Sequence, residues 1–360
     1  MMGLLKFFMS LIISIVLFPS CTDGSSPEEF SWTRDLLNPF VSGIGQITDI
    51  SDPTVLFDNN KYRMWGSCIQ EEPGLEKEDW PAYIFYSESD DGTAWSDPVI
   101  VFSPSFGGWD NRKVEVPSVI KDDEENDPQR RYKLWYGGAS DAEPDLTKIG
   151  FACSPDGINW TRLPRNESPY SQDGLVLIPE NVSPGDMGVV SDPTVLIVNN
   201  AYYMWYNSFG EEELVICFAV SDDGIHWTKS EANPVLHGTP GTWEGEGPSG
   251  PDGFPCNVVH PSVSYNSDTG LFTMWYGSFS DTGLLYTGIG SAESLDGVTW
   301  SKSSHNPLLV PEKNASGEEL GLVPAPCVIE SDGIFHLYYG GYDKSGTMKI
   351  NHAFRPKNQD

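Results

Sequence analysis

The chain is short of basic residues. Only 21 of its 360 residues are Lys or Arg, against 52 Asp or Glu, so the formal net charge is −31. Nucleic acid needs a basic stripe on its partner, and an anionic membrane surface needs the same, so the charge balance argues against both. Cysteine is scarce as well. Beyond Cys21 there are five: Cys68, Cys153, Cys217, Cys256 and Cys327. Their spacing is neither a zinc pattern nor a dense disulfide framework. Cys256 and Cys327, each near the start of a repeat, are the pair expected to approach; the others read as buried thiols. No P-loop, Rossmann glycine phrase, HExxH or G-x-S-x-G elbow occurs, and no Ser has a triad context. What the chain does have is 39% hydrophobic and 12% aromatic residues, which argues against disorder. Its 36 Gly and 28 Pro point to many turns rather than long helices.

The one long apolar run is N-terminal. Lys6 is followed by LIISIVLF, and the run ends at Pro19, Ser20 and Cys21. It is too short for a comfortable membrane span and reads as a signal peptide. FPSC resembles a bacterial lipoprotein box. The expectation is cleavage after residue 20, a lipid on Cys21 as the only membrane attachment, and a tether over 21–30. That makes an exported lipoprotein of the outer membrane, periplasm or cell surface. Ordinary secretory cleavage nearby is the alternative.

A similar segment recurs five times. It reads SDPTVLFDNNKYRMWG from Ser51, VPSVIKDDEENDPQRRYKLWYGG from Val116, SDPTVLIVNNAYYMWYNS from Ser191, HPSVSYNSDTGLFTMWYGS from His260 and APCVIESDGIFHLYYGG from Ala325. Each segment predicts two strands joined by a polar hairpin. A third strand follows (IFYSES, IGFACS, ICFAVS, TGIGSA), then DGxxW, where Asp-Gly makes a tight turn and the Trp begins a fourth strand. The fifth unit has a third strand at MKINHAF and no DGxxW. Trp32, however, precedes Asn38-Pro39 by six residues, as Trp227 precedes Asn233-Pro234 and Trp300 precedes Asn306-Pro307. The N-terminal segment is therefore expected to supply the missing outer strand. The fold class is all-β, a five-bladed β-propeller over residues 31–356, closed by that N-terminal strand in blade five.

In such a ring the first strands line the axis. The residue before each aligned proline is Asp52, Val116, Asp192, His260 and Ala325, with Glu115 one place earlier in the second unit. Carboxylates and an imidazole gathered at one mouth are costly unless hydrated, paired or used. Two carboxylates that push each other's pKa apart supply both an acid and a base, which is what glycoside hydrolysis needs. For any single Asp-Pro, the competing reading is a strand-start device. The long Gly/Pro-rich stretch GTWEGEGPSGPDGFP before the fourth unit is expected to bring Glu244 or Glu246 toward a substrate or to remain a solvated loop. FGGWDNRKVEVP before the second carries Trp109 and Arg112. Trp109 and Trp243 are candidates for stacking on sugar faces or for capping sheet edges. The DGxxW Asp and Trp residues read as structural.

These phrases resemble the five-bladed glycosidases of glycoside hydrolase family 43 and its relatives, families 32 and 130, over essentially the whole chain after the leader. The resemblance implies Asp52 as general base, Glu115 of EVP or Glu246 of EGP as general acid, and Asp192 as the group that tunes the acid and holds the sugar. The family order is Asp, Asp, Glu, whereas this chain runs Asp, Glu, Asp. The reading is a glycosidase acting on oligosaccharides or polysaccharide ends, inverting by the family 43 likeness; the family 32 likeness implies retention instead, with Asp52 as nucleophile, and the sequence does not separate the two. Trp109, Arg112, Trp243, Glu246 and His260 are its candidate sugar contacts. No cofactor is required; calcium stays open because the channel is rich in oxygen ligands. Two alternatives stand beside it. One is a mannoside phosphorylase or hydrolase of the family 130 type, in which Arg112, Lys113 and His260 are the evident phosphate contacts. The other is a glycan-binding surface lipoprotein without activity.

Overall fold

The computed structural model describes residues 32–35, 38–180, 187–210, 213–245, 256–280, 285–313, 319–320, 322–342 and 346–357. The leader, Cys21, the tether and Glu246 lie outside the described residues. The architecture is all-β, in antiparallel sheets that each resemble a propeller blade. The five repeats begin with the strands Ile47–Asp58, Lys113–Lys121, Met187–Val198, Asn257–Asn266 and Leu322–Ser331. Each of these inner strands pairs with the strand after it in the chain, across the polar hairpin the sequence foretells. The first two units are joined into one nine-stranded sheet through a parallel bridge from Ala82 to Lys113.

Outer strands are short. In units two to four they are two-residue pieces next to the DGxxW tryptophan: Thr161–Arg162, Thr228–Lys229 and Ser301–Lys302. In unit one the outer strand is Val99–Phe102, so Trp95 does not begin it but makes an isolated bridge to Ser89. The outer strand of unit five is Thr33–Arg34, paired antiparallel with Phe354 and Ala353. The Asn-Pro signal has a physical basis. Asn38 exchanges two side-chain hydrogen bonds with the main chain of His352, and Asn233 and Asn306 do the same with Phe218 and Ser291. In all three places the Asn amide substitutes for a strand neighbour.

The DGxxW turns tie each sheet to its neighbour. The Asp carboxylate accepts from the N–H groups two and three residues on, and a Ser two residues earlier bonds it as well, as in Ser154–Asp156–Ile158–Asn159. The Gly carbonyl then receives a side chain from the preceding unit. Trp65 donates to Gly157 at 2.7 Å, Trp135 to Gly224 at 2.9 Å and Trp205 to Gly297 at 2.8 Å, and the Tyr338 hydroxyl donates to Gly92 at 2.9 Å. These glycines have φ near +75°, and a Cβ on Gly157 would sit 2.8 Å from the Trp65 ring. Among the described residues Trp275 meets no such turn; it packs on Phe335. The core is divided accordingly. Apolar clusters lie between consecutive sheets, and one of them joins Ile50, Val55 and Met64 of the first unit to Cys327, Tyr338 and Ile350 of the last. None of the five described cysteines forms a disulfide, so Cys256 and Cys327 are not a bridged pair; all five are buried.

The Asp turns give a direct stability test. Burial alone would raise the Asp156 carboxyl, yet hydrogen bonds from the Asn159 and Ile158 N–H groups prevail and hold it at about 2. Asp156→Ala removes those acceptors and is expected to cost about 1 kcal/mol, read as a lower urea midpoint with an unchanged slope.

Candidate active site

The X-Pro positions come together. Asp52-Pro53, Val116-Pro117, Asp192-Pro193, His260-Pro261 and Ala325-Pro326, one pair from each inner strand, line a single cavity of ≈50 Å³. Asp52, Val116, Asp192 and His260 have φ of 52°, 48°, 51° and 51°. A residue before proline is pushed to extended backbone, and a β-branched Val at positive φ is an outlier, so each position stores on the order of 1–3 kcal/mol of strain. The register of every inner strand shifts at this point, which turns the residue out of the ladder and aims it at the shared cavity.

The groups interact. The Ser51 hydroxyl donates to Asp52 Oδ2 at 2.9 Å. His260 Nδ1 lies 3.3 Å from Asp192 Oδ2, close enough for an ion pair, although it is not aligned as a hydrogen bond. Burial pushes the Asp192 carboxyl upward, the His260 imidazole pulls it down, and the charges of Asp52 and Glu115 push it up again; the net position is above the ordinary carboxylate value. Glu115 is held by Lys113 at 2.7 Å. The cavity itself takes a water-sized group, not a sugar ring, since ligand sites usually span about 300–1,000 Å³. A larger cavity of ≈370 Å³ lies at the far ends of the first three inner strands. It is lined by aliphatic side chains and Phe57, and its Lys121 is already paired with Asp58 and Asp123. The unusual chemistry sits at the smaller one.

No family model matches the chain. An uncharacterized protein of Mycobacterium tuberculosis is 30% identical over 251 residues, which cover 67% of this chain and 71% of that protein. A β-1,2-mannobiose phosphorylase of Thermoanaerobacter sp. is 32% identical over 103 residues, or 28% of this chain; the chain spans only 27% of that enzyme's length. Among solved structures, one described under the GH130 family of mannoside phosphorylases, which contains glycoside hydrolases that target β-1,2 mannosidic linkages in Candida mannan, superposes with a TM-score of 0.64. It is 15% identical and covers 92% of this chain and 95% of its own. The chain thus shares the fold of family 43 and family 130 structures over nearly its whole length, and it resembles the mannoside phosphorylases in sequence over about a quarter of it.

The remaining sequence candidates fall in different places. Trp109 is buried, stacks on Tyr136 and donates its Nε1–H to the Asp173 carbonyl, so it caps a sheet edge rather than presenting a face to sugar. Trp243 packs on Tyr276 and covers Gly288 and Gly290, again at a sheet edge. Neither lines the cavity at the X-Pro positions. Arg112 faces Asp79 at 3.5 Å and Asp141 at 3.9 Å. Glu246 lies outside the described residues, whereas Glu244 is fully buried and bonded to Tyr276, Lys302 and the Thr239 N–H. Asp110 makes the matching set with Tyr136 and Arg162 in the second unit. The two loops are built alike, each placing a carboxylate that locks neighbouring strands. Among the described residues no group of three or more His, Cys, Asp or Glu is placed to hold a metal ion.

Sequence reasoning did not find Asn207 or Ser67, second-strand residues whose side chains accept from the N–H of His260 and Val116. It named Lys113 for phosphate but not as the partner of Glu115. Residues i and i+2 of a strand share a face, so that pairing was available from spacing alone.

Proposed function

We propose that this chain is a mannoside-cleaving enzyme of the family 130 type, using water as acceptor. The observation that carries the reading is the convergence of Asp52, Asp192 and His260 at strained positions of separate strands. Asp192, desolvated and beside other carboxylates, is the proton donor. Glu115 is committed to Lys113, which exchanges the roles that the sequence gave these two acids. Asp52 is the base. It takes a proton from water as the water oxygen attacks the anomeric carbon; the glycosidic C–O bond breaks, and the Asp192 proton goes to the leaving oxygen. The sugar rests over the cavity mouth. Inversion at the anomeric carbon is the expected outcome.

The reading takes the five units as blades of one closed ring over 31–356. Three contacts support it: Thr33–Arg34 pairing with the final strand, Tyr338 bonding Gly92, and Val55 N–H donating to Cys327 Sγ at 3.2 Å. Attachment by a lipid on Cys21 at the cell surface or outer membrane is part of the same proposal.

Phosphorolysis is the second reading, favoured by the Thermoanaerobacter relatives named as phosphorylases. Water is favoured because two of the cations the sequence offers for phosphate are already paired, Lys113 with Glu115 and Arg112 with Asp79 and Asp141. Incubation with β-1,2-mannobiose and longer mannosides, with and without inorganic phosphate, separates the two. Mannose released at the same rate in both, with the product anomer followed by NMR, is expected. Turnover that requires phosphate and yields mannose 1-phosphate would overturn hydrolysis. No cleavage of any mannoside, with arabinan, xylan and fructan fragments as controls, would sink the mannoside reading.

A further inference from the structure

The strained turn at His260 is held from outside its own sheet. Asn207 sits on the second strand of the third unit and is almost fully buried. Its Oδ1 accepts from the His260 N–H at 2.8 Å. Both Nδ2 hydrogens are used as well, one on the Val258 carbonyl at 2.9 Å and one on the Val215 carbonyl at 3.1 Å. One amide thus grips the fourth inner strand at two points, His260 and the residue two before it, while anchored to its own third strand. The donors facing two carbonyls fix which way the amide points.

The repeats show that this is not a general packing device. At the matching register the second strands carry Ser67, Gly137, Asn207 and Gly277, opposite Ser51, Glu115, Ser191 and Val259. The fold therefore tolerates glycine there. Only Ser67 and Asn207 reach the next inner strand, Ser67 Oγ accepting from the Val116 N–H at 2.7 Å. Asn207 serves the unit whose turn residue is an imidazole 3.3 Å from Asp192.

We infer that Asn207 is a positioning residue: it holds the left-handed turn at His260 and thereby sets the imidazole against Asp192. The inference rests on the proposed reaction for its kinetic consequence but not for its geometry. A displaced imidazole misplaces the proton-carrying carboxyl, and small misplacements are costly in rate.

The test uses the full mature chain. Asn207→Ala is expected to lower kcat on mannoside by on the order of 10- to 100-fold, with KM within about twofold. It should also shift the His260 Cε1–Hε1 cross-peak in the spectrum of protein labelled at histidine. Asn207→Ser installs the side chain that already makes this contact in the first unit, and should restore much of both. An Asn207→Ala protein with parental kcat and an unmoved His260 cross-peak overturns the inference, as does a Ser variant no better than Ala. Should the Ala variant fail to fold, the Ser variant decides alone: a cross-peak near its parental position supports the role and a displaced one refutes it. If no mannoside is turned over by the parent, the reaction falls, and the cross-peak still decides Asn207.

Discussion

Asp192→Asn should reduce turnover of a mannoside with a poor leaving group by about 10³-fold or more, within the range that a lost general acid usually costs. The substitution is nearly isosteric. A carboxyl that burial keeps protonated is replaced by a neutral amide of the same shape, so the melting temperature should change little. The leaving group makes the test specific. An aryl mannoside, whose phenolate departs without a proton, should lose far less than mannobiose does. Equal losses on both substrates would show that Asp192 does something other than deliver a proton. The pH dependence has a defined sign as well. A donor must be protonated, and burial keeps this carboxyl protonated to higher pH than an ordinary Asp. Parent activity should therefore fall as pH rises through that raised value, and the Asn variant should lose this alkaline limb.

Acidification should loosen the seam between the N-terminal and C-terminal strands. His352 is almost fully buried, with Nε2 3.0 Å from Nδ1 of His336, the Phe40 ring stacked on it at 4.9 Å and Tyr338 and Phe354 packed around it. Asp35 stands 3.5 Å from its Nδ1. Its main chain also bonds Asn38 and the Asp35 N–H, so it anchors the segment that supplies the outer strand. Burial comes first and lowers the imidazole from 6.5, the neighbouring His336 lowers it further, and Asp35 only partly offsets them, leaving it at about 4. A folded value below the unfolded one means that the unfolded chain binds the proton more readily. The stabilisation is therefore complete above about pH 6.5, declines as pH falls, and is gone by about pH 4; it amounts to roughly 3 kcal/mol. His336 is lowered too, by burial, and acts in the same direction. Urea unfolding at pH 7.5 and 4.5 should show a steep loss in the parent and a much smaller one in His352→Phe, which keeps the stack on Phe40. Parallel losses in the two proteins would refute the assignment.

Where the sequence was legible, the chemistry was local. Asp91, Asp156, Asp223 and Asp296 announce their turns because each carboxylate bonds N–H groups two and three residues away. The X-Pro column was readable because it repeats, and the borrowed outer strand because Trp32 and Asn38 keep the spacing seen inside the chain. Glu244 was misjudged for the opposite reason. An acid in a Gly-rich loop reads as solvated, but its partner Lys302 is 58 residues away, and no spacing rule connects them. Trp109 was ambiguous on the same ground, since Asp173 and Tyr136 decide its burial. Asn207 left no signal in a single sequence: a polar residue in an aromatic strand reveals its purpose only when the neighbouring sheet is in place.

The pairing of Thr33 with Phe354 has a consequence for biogenesis. Thr33 and Phe354 stand far apart in the sequence, and contacts this distant form slowly. Until that pairing forms, the strand Met348–Pro356 presents an open edge of unpaired main-chain groups, the usual starting point for edge-to-edge aggregation. A truncation that trims the chain past Arg34 would make that temporary state permanent, harming solubility well before it touched any residue of the X-Pro cavity.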